Sequence, residues 1–299
     1  MELFNFAFKA MGSPCQIQFY APTFSHAERV YEIVLKRIVE LEQRYSRYLD
    51  TSLISQINRN AGTKQPVAID PETFALLQYA DRCYQESNQL FDVTSGVLRK
   101  VWHFNQTAVP SKAQLKEFVA LIGWKKVQWN QHDIYLPLTG MELDFGGIVK
   151  EYAADVAANL CRQNKISSGI IELGGDVRVI GALPNGDGWS IAIRDPRQPD
   201  KTVAQFRLKS GAVASSGDYE RFQVINGVRY SHLLNPKTGF PVTGLRAVSV
   251  IADQCVVAGS LATIAMLKGN QGLALLRQLP LGFLCCENDG RIINQLPKH

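Results

Sequence analysis

Hydroxyl, imidazole and ammonium groups gather with glycine between Gly211 and Val242, GAVASSGDYERFQVINGVRYSHLLNPKTGFPV. Ala214-Ser215-Ser216-Gly217 combines small side chains with two hydroxyls, so that backbone N–H groups can approach a ligand closely. Asn226-Gly227 suits a type I′ turn between two strand-like segments, and the second segment delivers Tyr230, Ser231 and His232 side by side. Asn235-Pro236-Lys237-Thr238-Gly239 then makes a rigid turn carrying a hydroxyl and a cation. A hairpin built only for support has no need of Ser215, Ser216, Gly217, Arg221, His232 and Thr238 together. An imidazole titrates where either a general base or a phosphate contact is useful, which makes His232 the candidate catalytic residue. A second constellation is Asp144-Phe145-Gly146-Gly147, followed by Lys150. A glycine pair at a helix N-terminus exposes N–H groups, and a lysine one turn in adds charge, which together describe a phosphate or pyrophosphate site.

The elements that must position these groups follow from periodicity and capping. Residues 4–20 alternate as a strand, PCQIQFYA, preceded by Met11-Gly12. Ser25 and Glu28 form a capping box for a helix carrying Val30, Ile33, Val34, Ile38 and Leu41, which runs out near Arg44-Tyr45-Ser46-Arg47-Tyr48. SLISQINRN reads as a loop with a helical turn, Asp70-Pro71 starts a second helix and Ser111 caps a third that stops at Gly123. A strand pair is expected over 125–138, then a helix bearing Lys150, Tyr152 and Asp155. GIIELGG, DVRVIG, WSIAIRD, VAQFRL, the hairpin above and AVSVIA read as strands, followed by the small-residue helix VVAGSLATIAMLKG and a last hairpin at Asn288-Asp289-Gly290. Hairpin-joined strands of this kind favour an antiparallel α+β architecture, and no stretch reads as a linker, so 1–299 is expected to be one unit.

Composition narrows the class. With 46% hydrophobic and 20% charged residues, the 299-residue chain reads as an ordinary soluble globular protein. Its net charge of +5 is spread along the sequence, with no basic run interleaved with aromatics, so nucleic acid is not an expected partner. No run reaches the roughly 18 apolar residues of a membrane span. MELFNFAFKAMGSPC lacks the charge and apolar core of a signal peptide, and the expected location is the cytoplasm. The six cysteines are scattered in apolar segments without a CxxC pair and read as buried free thiols.

Two of these segments resemble the ApbE family, the FAD:protein FMN transferases. SSGDYERF…GVRYSHLLNPKTGFPV is similar to the family's TSGxY…HIxDPxTGxP, and DFGGIVKEYAAD to its DLGGIAKGYAVD. Met11-Gly12-Ser13 resembles a family MGT whose Met contacts the flavin, and Tyr48 in SRYLDTSLISQIN matches an aromatic that packs on the isoalloxazine. Phe91-Asp92-Val93-Thr94-Ser95-Gly96 resembles FDxTVG, with Ser95 in place of Val, and Glu172-Leu173-Gly174-Gly175-Asp176 resembles NxGGD. The resemblance implies a cofactor-binding set of Met11, Tyr48, Leu90, Phe91, Asp92, Thr94, Asp144, Lys150, Gly174, Gly175, Ser215, Ser216, Gly217, Arg221, His232 and Leu234. Asp144 would bind the adenine-nucleotide part of FAD.

The family's ADAxxT, whose Asp and Thr bind Mg²⁺, is Ala258-Gly259-Ser260-Leu261-Ala262-Thr263 here, and Asn235 replaces the Asp of HIxDP. The implied metal positions are therefore the Gly147 carbonyl, Gly259 and Thr263. Mg²⁺ prefers hard carboxylate oxygens, and Glu151, where the family has Gly, offers one nearby. The resemblance implies an ApbE-like α+β fold of antiparallel sheets and packed helices, with duplicated T-fold-like architecture. It also implies an activity: a Ser or Thr hydroxyl of an acceptor protein attacks the FMN phosphorus of FAD and AMP leaves, with His232 and Lys150 as catalytic residues. Gly259 and Asn235 keep two alternatives open, an FAD-binding protein without transfer and an FAD pyrophosphatase.

Overall fold

Alternating apolar residues at the N-terminus fold into two strands rather than one. In the computed structural model, which describes residues 1–103, 108–198, 200–218 and 222–296, β1 (Glu2–Ala10) pairs antiparallel with β2 (Ser13–Ala21). The turn between them is Met11 at φ 52° and Gly12 at φ 72°, the left-handed pair a two-residue hairpin requires. Met-Gly lacks the Asn or Asp that usually marks such a turn, which is why the pattern read as a single strand. α1 (Phe24–Tyr45) is capped by Thr23, whose hydroxyl accepts the His26 N–H at 3.3 Å, so the expected Ser25–Glu28 box lies inside the first turn instead. Val30, Val34, Ile38, Leu41 and Tyr45 form its buried stripe.

α2 (Leu53–Arg59), capped by Ser52, extends the expected helical turn into a short helix. Beyond β3 (Val67–Ala68), α3 (Pro71–Glu86) begins as expected, with Asp70 Oδ1 accepting the Thr73 N–H at 2.8 Å. A 3₁₀ turn at Ser95–Lys100 precedes α4 (Lys112–Ala120), which carries a Ser111–Gln114 capping box. β4 (Gln128–Trp129) and β5 (Asp133–Tyr135) join β3 in a small sheet.

α5 (Val149–Gln163) opens the second half and is followed by β6 (Gly169–Leu173), β7 (Asp176–Gly181), β8 (Trp189–Arg194), β9 (Thr202–Leu208) and β10 (Ala212–Gly217). The hairpin β11 (Phe222–Ile225) and β12 (Val228–Ser231) turns at Asn226-Gly227, both at positive φ as a type I′ turn demands. β13 (Leu245–Ala252), α6 (Cys255–Lys268), α7 (Asn270–Gln278), β14 (Gly282–Glu287) and β15 (Ile292–Gln295) complete the order. Eight strands form one sheet, β1-β2-β6-β7-β10-β13-β14-β15, and every ladder in it is antiparallel. This is the mixed α+β architecture the strand pattern called for.

Pleating assigns adjacent residues to opposite faces. Ala212 and Ala214 enter the core shared with α1, α5 and α6, beside Val30, Ala154 and Ala262. Val213 faces the other way, with Val179, Ile251 and Leu284, onto Trp189, Ile191 and Phe206 of the β8–β9 hairpin. All six cysteines are buried and unbridged. No helix among the described residues is long and apolar enough to cross a membrane.

Candidate functional site

The glycine pair before α5 is shaped by Asp144. Its Oδ1 accepts the Gly146 N–H at 2.8 Å, its own N–H donates to Val93 O at 2.8 Å, and its Oδ2 lies 3.3 Å from Arg47 Nη1 and 3.4 Å from Arg99 Nη1. Asn58 clamps the preceding residue through both amide atoms, 3.0 Å to Leu143 O and 2.7 Å from Leu143 N. The Ile148 and Val149 N–H groups turn back to Phe145 O. The helix terminus is therefore less open than a Gly-Gly pair alone implies, because Asp144 and Phe145 already accept three of its N–H groups. A Cβ on Gly147 would sit 3.3 Å from Phe91 Cζ, so a bare backbone at 147 lets the aromatic ring close over the loop.

Lys150, one turn into α5, is held on both sides by carboxylates. Its Nζ is paired with Asp176 Oδ2 at the head of β7 and lies 3.4 Å from Glu151 Oε1. Asp176 is 2% exposed, and its Oδ1 accepts the Ser215 N–H at 3.0 Å, which ties β7 to β10. Burial opposes the charge on Lys150, but the Glu151 and Asp176 carboxylates outweigh it and the ammonium holds its proton more tightly than usual. Burial pushes Asp176 above the ordinary carboxylate range, with Lys150 pulling the other way.

A cavity of about 210 Å³ opens above these groups. Leu90, Phe91 and Asp92 line one side of it, and Asp144, Gly147 and Lys150 line the helix end. Ser215, Ser216, His232 and Leu234 come from β10 and the segment after β12, and Thr263 comes from α6. Gly147, Ser216 and His232, distant in sequence, thus share one space. Ser215 turns its hydroxyl to Ser249 Oγ at 2.7 Å, leaving Ser216 as the inward-facing member of the pair. Arg99 and Glu151 also line the cavity, and neither belonged to the expected cofactor set.

Other expected residues stand elsewhere. Met11 packs at the β1–β2 turn against the core. Tyr48 is 70% exposed, with its hydroxyl 3.2 Å from Arg99 Nη1 and the Arg47 guanidinium 5.2 Å from its ring, so it is one side chain removed from the lining. Thr94 is fully buried, and Asp92 Oδ1 accepts its N–H and its hydroxyl while Asp92 Oδ2 accepts the Trp124 N–H. These two residues knot the 91–96 segment, and burial raises the Asp92 carboxyl despite the bonds it accepts. Gly174 and Gly175, at φ 57° and 91°, form the β6–β7 turn that presents Asp176, and Gly217 ends β10. Arg221 lies outside the described residues. Asn235 Oδ1 accepts the Lys237 N–H at 2.9 Å, Thr238 Oγ1 accepts the Phe240 N–H at 3.2 Å, and Lys237 Nζ donates to Asn88 O at 2.9 Å. Asn235 and Thr238 therefore serve the turn's own geometry, and Lys237 ties the turn to Asn88.

Gly259 faces α5, and a Cβ there would lie 2.6 Å from Glu151 Cγ. The two helices are locked in register by Asp155 on α5, whose carboxylate accepts the Cys255 and Val256 N–H groups at 2.9 Å each and so caps α6. Among the described residues no group of three or more His, Cys, Asp or Glu side chains is placed to hold a metal ion alone. Asp176 is the site residue the sequence reading passed over. Its signal was present, a carboxylate directly after the Gly174-Gly175 turn.

The sequence model of the ApbE family matches residues 11–285. The FAD:protein FMN transferase of Treponema pallidum (strain Nichols) is 30% identical over 292 residues, covering 90% of this chain and 80% of that one. The FAD:protein FMN transferase of Klebsiella pneumoniae (strain 342) is 28% identical, covering 93% and 86%. Among solved structures, the ApbE protein of Thermotoga maritima superposes with a TM-score of 0.90 at 29% identity, over 98% of this chain and 97% of that one. The flavin transferase ApbE of Vibrio cholerae gives a TM-score of 0.87 at 26% identity, over 98% and 97%. With this sheet, this helix end and these relatives along nearly its whole length, the chain belongs to the ApbE family.

Proposed function

We propose that this chain transfers the FMN part of FAD to a Ser or Thr hydroxyl of an acceptor protein and releases AMP. The observation that supports it is the cavity in which Gly147, Lys150, Ser216 and His232 meet. In the reaction the acceptor oxygen attacks the FMN-side phosphorus, and its proton passes to His232. The bond from that phosphorus to the bridging oxygen breaks, and AMP leaves with the bonding electrons. Phosphoryl transfer of this kind depends on positioning and on neutralising charge. Asp144, through Arg47, Arg99 and the Gly146 N–H, holds the loop that shapes one wall. Asp176, through Lys150 and Ser215, holds the opposite wall in register with it.

Charge in the cavity supports a cation partner. Three carboxylates, Asp92, Asp144 and Glu151, line it against the two basic side chains Arg99 and Lys150. A diphosphate entering this space adds negative charge, so the donor set fits a hard divalent ion shared with the phosphates. Glu151 Oε2 is buried without a hydrogen-bond partner among the described residues, and Gly147 and Thr263 line the same cavity. Gly147, Thr263 and Glu151 are the residues that would hold Mg²⁺, which when bound supplies charge neutralisation at the phosphates.

The test is incubation of the full chain with FAD, Mg²⁺ and an acceptor protein, followed by chromatography of the nucleotides and fluorescence of the denatured acceptor. Fluorescent acceptor with equimolar AMP supports transfer. Free FMN with AMP and a dark acceptor would make the chain a pyrophosphatase instead. A second reading, FAD binding without turnover, draws on Gly259, which brings no carboxylate, and on Asn235, whose side chain closes its own turn. Intact FAD retained by the protein would select it.

A further inference from the structure

We infer that Glu151 is the carboxylate that anchors the divalent cation, reaching from α5 into the room that a glycine leaves on α6. A Cβ built on Gly259 would lie 2.6 Å from Glu151 Cγ, 3.1 Å from its Cδ and 3.2 Å from Oε1. The Glu151 carboxyl group therefore fills the volume that a side chain at 259 would use, and only one of the two positions can carry an acid. Gly259 and Glu151 are two halves of one arrangement.

The state of that carboxylate points to a ligand. Glu151 is 8% exposed, one oxygen lies 3.4 Å from Lys150 Nζ, and the other, Oε2, accepts no hydrogen bond from the described residues. A buried carboxylate oxygen without a donor is disfavoured unless a cation or a donor from outside completes it. Lys150 does not complete it, because its ammonium is directed to Asp176. Glu151 lines the cavity together with Gly147 and with Thr263, which lies one helical turn beyond Gly259 on the same face of α6. Asp155 fixes α6 against α5 through the Cys255 and Val256 N–H groups, so the relation between Glu151 and Thr263 is held by the scaffold. One carboxylate, one hydroxyl and the backbone at 147 leave coordination positions for water or phosphate oxygens, the shell Mg²⁺ prefers.

This rests on the reading above and deepens it by tying the cation's carboxylate to the room left at Gly259. Its test reads metal occupancy rather than turnover, so the two fail separately. Mn²⁺ is titrated into the full chain without FAD, and free Mn²⁺ is followed by electron paramagnetic resonance, with Mg²⁺ added as competitor. The native chain is expected to bind one Mn²⁺ that Mg²⁺ displaces. Glu151→Gln keeps the shape of the side chain, and it is expected to weaken Mn²⁺ binding by about tenfold or more. Moving the acid to the other helix, Glu151→Gly with Gly259→Asp, is expected to restore affinity to within about threefold of native, since the same volume again carries a carboxylate. Native-like Mn²⁺ affinity in Glu151→Gln, or no Mn²⁺ binding by the native chain, would overturn the assignment and leave Glu151 as a counter-ion of Lys150 only.

Discussion

Lys150 on α5 and Asp176 at the head of β7 form a buried ion pair that joins the helix end of the cavity to the central sheet. The other oxygen of Asp176 receives the Ser215 N–H at 3.0 Å, so a single carboxylate fixes α5, β7 and β10 relative to one another. Removing one member of such a pair strands a charge in the interior. Asp176→Ala is expected to lower stability by about 3 kcal/mol or more. Asp176→Leu combined with Lys150→Met should recover part of that loss, because the close pair is then removed whole and only the longer Lys150–Glu151 contact of 3.4 Å is lost with it. Urea unfolding of the three proteins checks both statements, and equal losses in single and double variants would show that the pair does not couple.

Gly259 is a steric requirement of the native packing. Introducing Asp at 259 while Glu151 remains forces a contact of 2.6 Å on Glu151 Cγ and sets two carboxylates against each other. Gly259→Asp alone is therefore expected to destabilise by about 1–3 kcal/mol. Thermal melting of Gly259→Asp in the native background and in Glu151→Gly separates the clash from any effect of the acid. The penalty should disappear in the second.

In the proposed reaction His232 takes the acceptor's proton. His232→Ala should reduce the rate of transfer by about a hundredfold or more while FAD affinity changes only a few-fold. Single-turnover rates and FAD titration, measured on the same preparation, give the two quantities. Parallel loss of both would reassign His232 to binding.

Away from the site, Asp70 gives a pH signature. The Asp70 carboxylate is partly desolvated, yet hydrogen bonds from Thr73 and the charge of Arg44 bring its pKa below the ordinary value. A depressed carboxylate releases its proton more readily in the folded chain than in the unfolded one. Its stabilisation is complete above the ordinary carboxylate range and drains away as pH falls through that range. Asp70→Ala should cost about 1 kcal/mol at neutral pH. The gap to the native protein should narrow at pH values below the native Asp70 pKa, as seen in urea midpoints measured across that range.

Much of the fold could be read from local rules. Asp70-Pro71, Ser111 with Gln114, and Asn226-Gly227 carry their own geometry, and each appears where its capping or turn chemistry puts it. Met11-Gly12 and Thr23 escaped because Met seldom takes φ 52° and because Ser25 with Glu28 imitates a cap two residues too late. At the site, segments that carry small residues and hydroxyls were legible: the Ser215-Ser216 pair and His232 converge with Gly147. What could not be read was which polar groups serve each other. Asp92 reads as a ligand contact and does line the cavity, yet its oxygens also hold Thr94 and Trp124, and Asn235 Oδ1 holds the Lys237 N–H of its own turn. Asp176 was signalled only by the glycine turn before it, and the exclusion between Glu151 and Gly259 depends on two helices meeting in space.

The claim on which the rest depends is that the diphosphate of FAD occupies the cavity between Gly147, Ser216 and His232. FAD titrated into the native chain and into Ser216→Trp, with Mg²⁺ present and folding checked by melting temperature, tests it most directly. The indole would fill much of a space of about 210 Å³. Saturable binding by the native chain and its loss in a folded Ser216→Trp is the expected result. Equal FAD affinity in the two proteins would contradict the account.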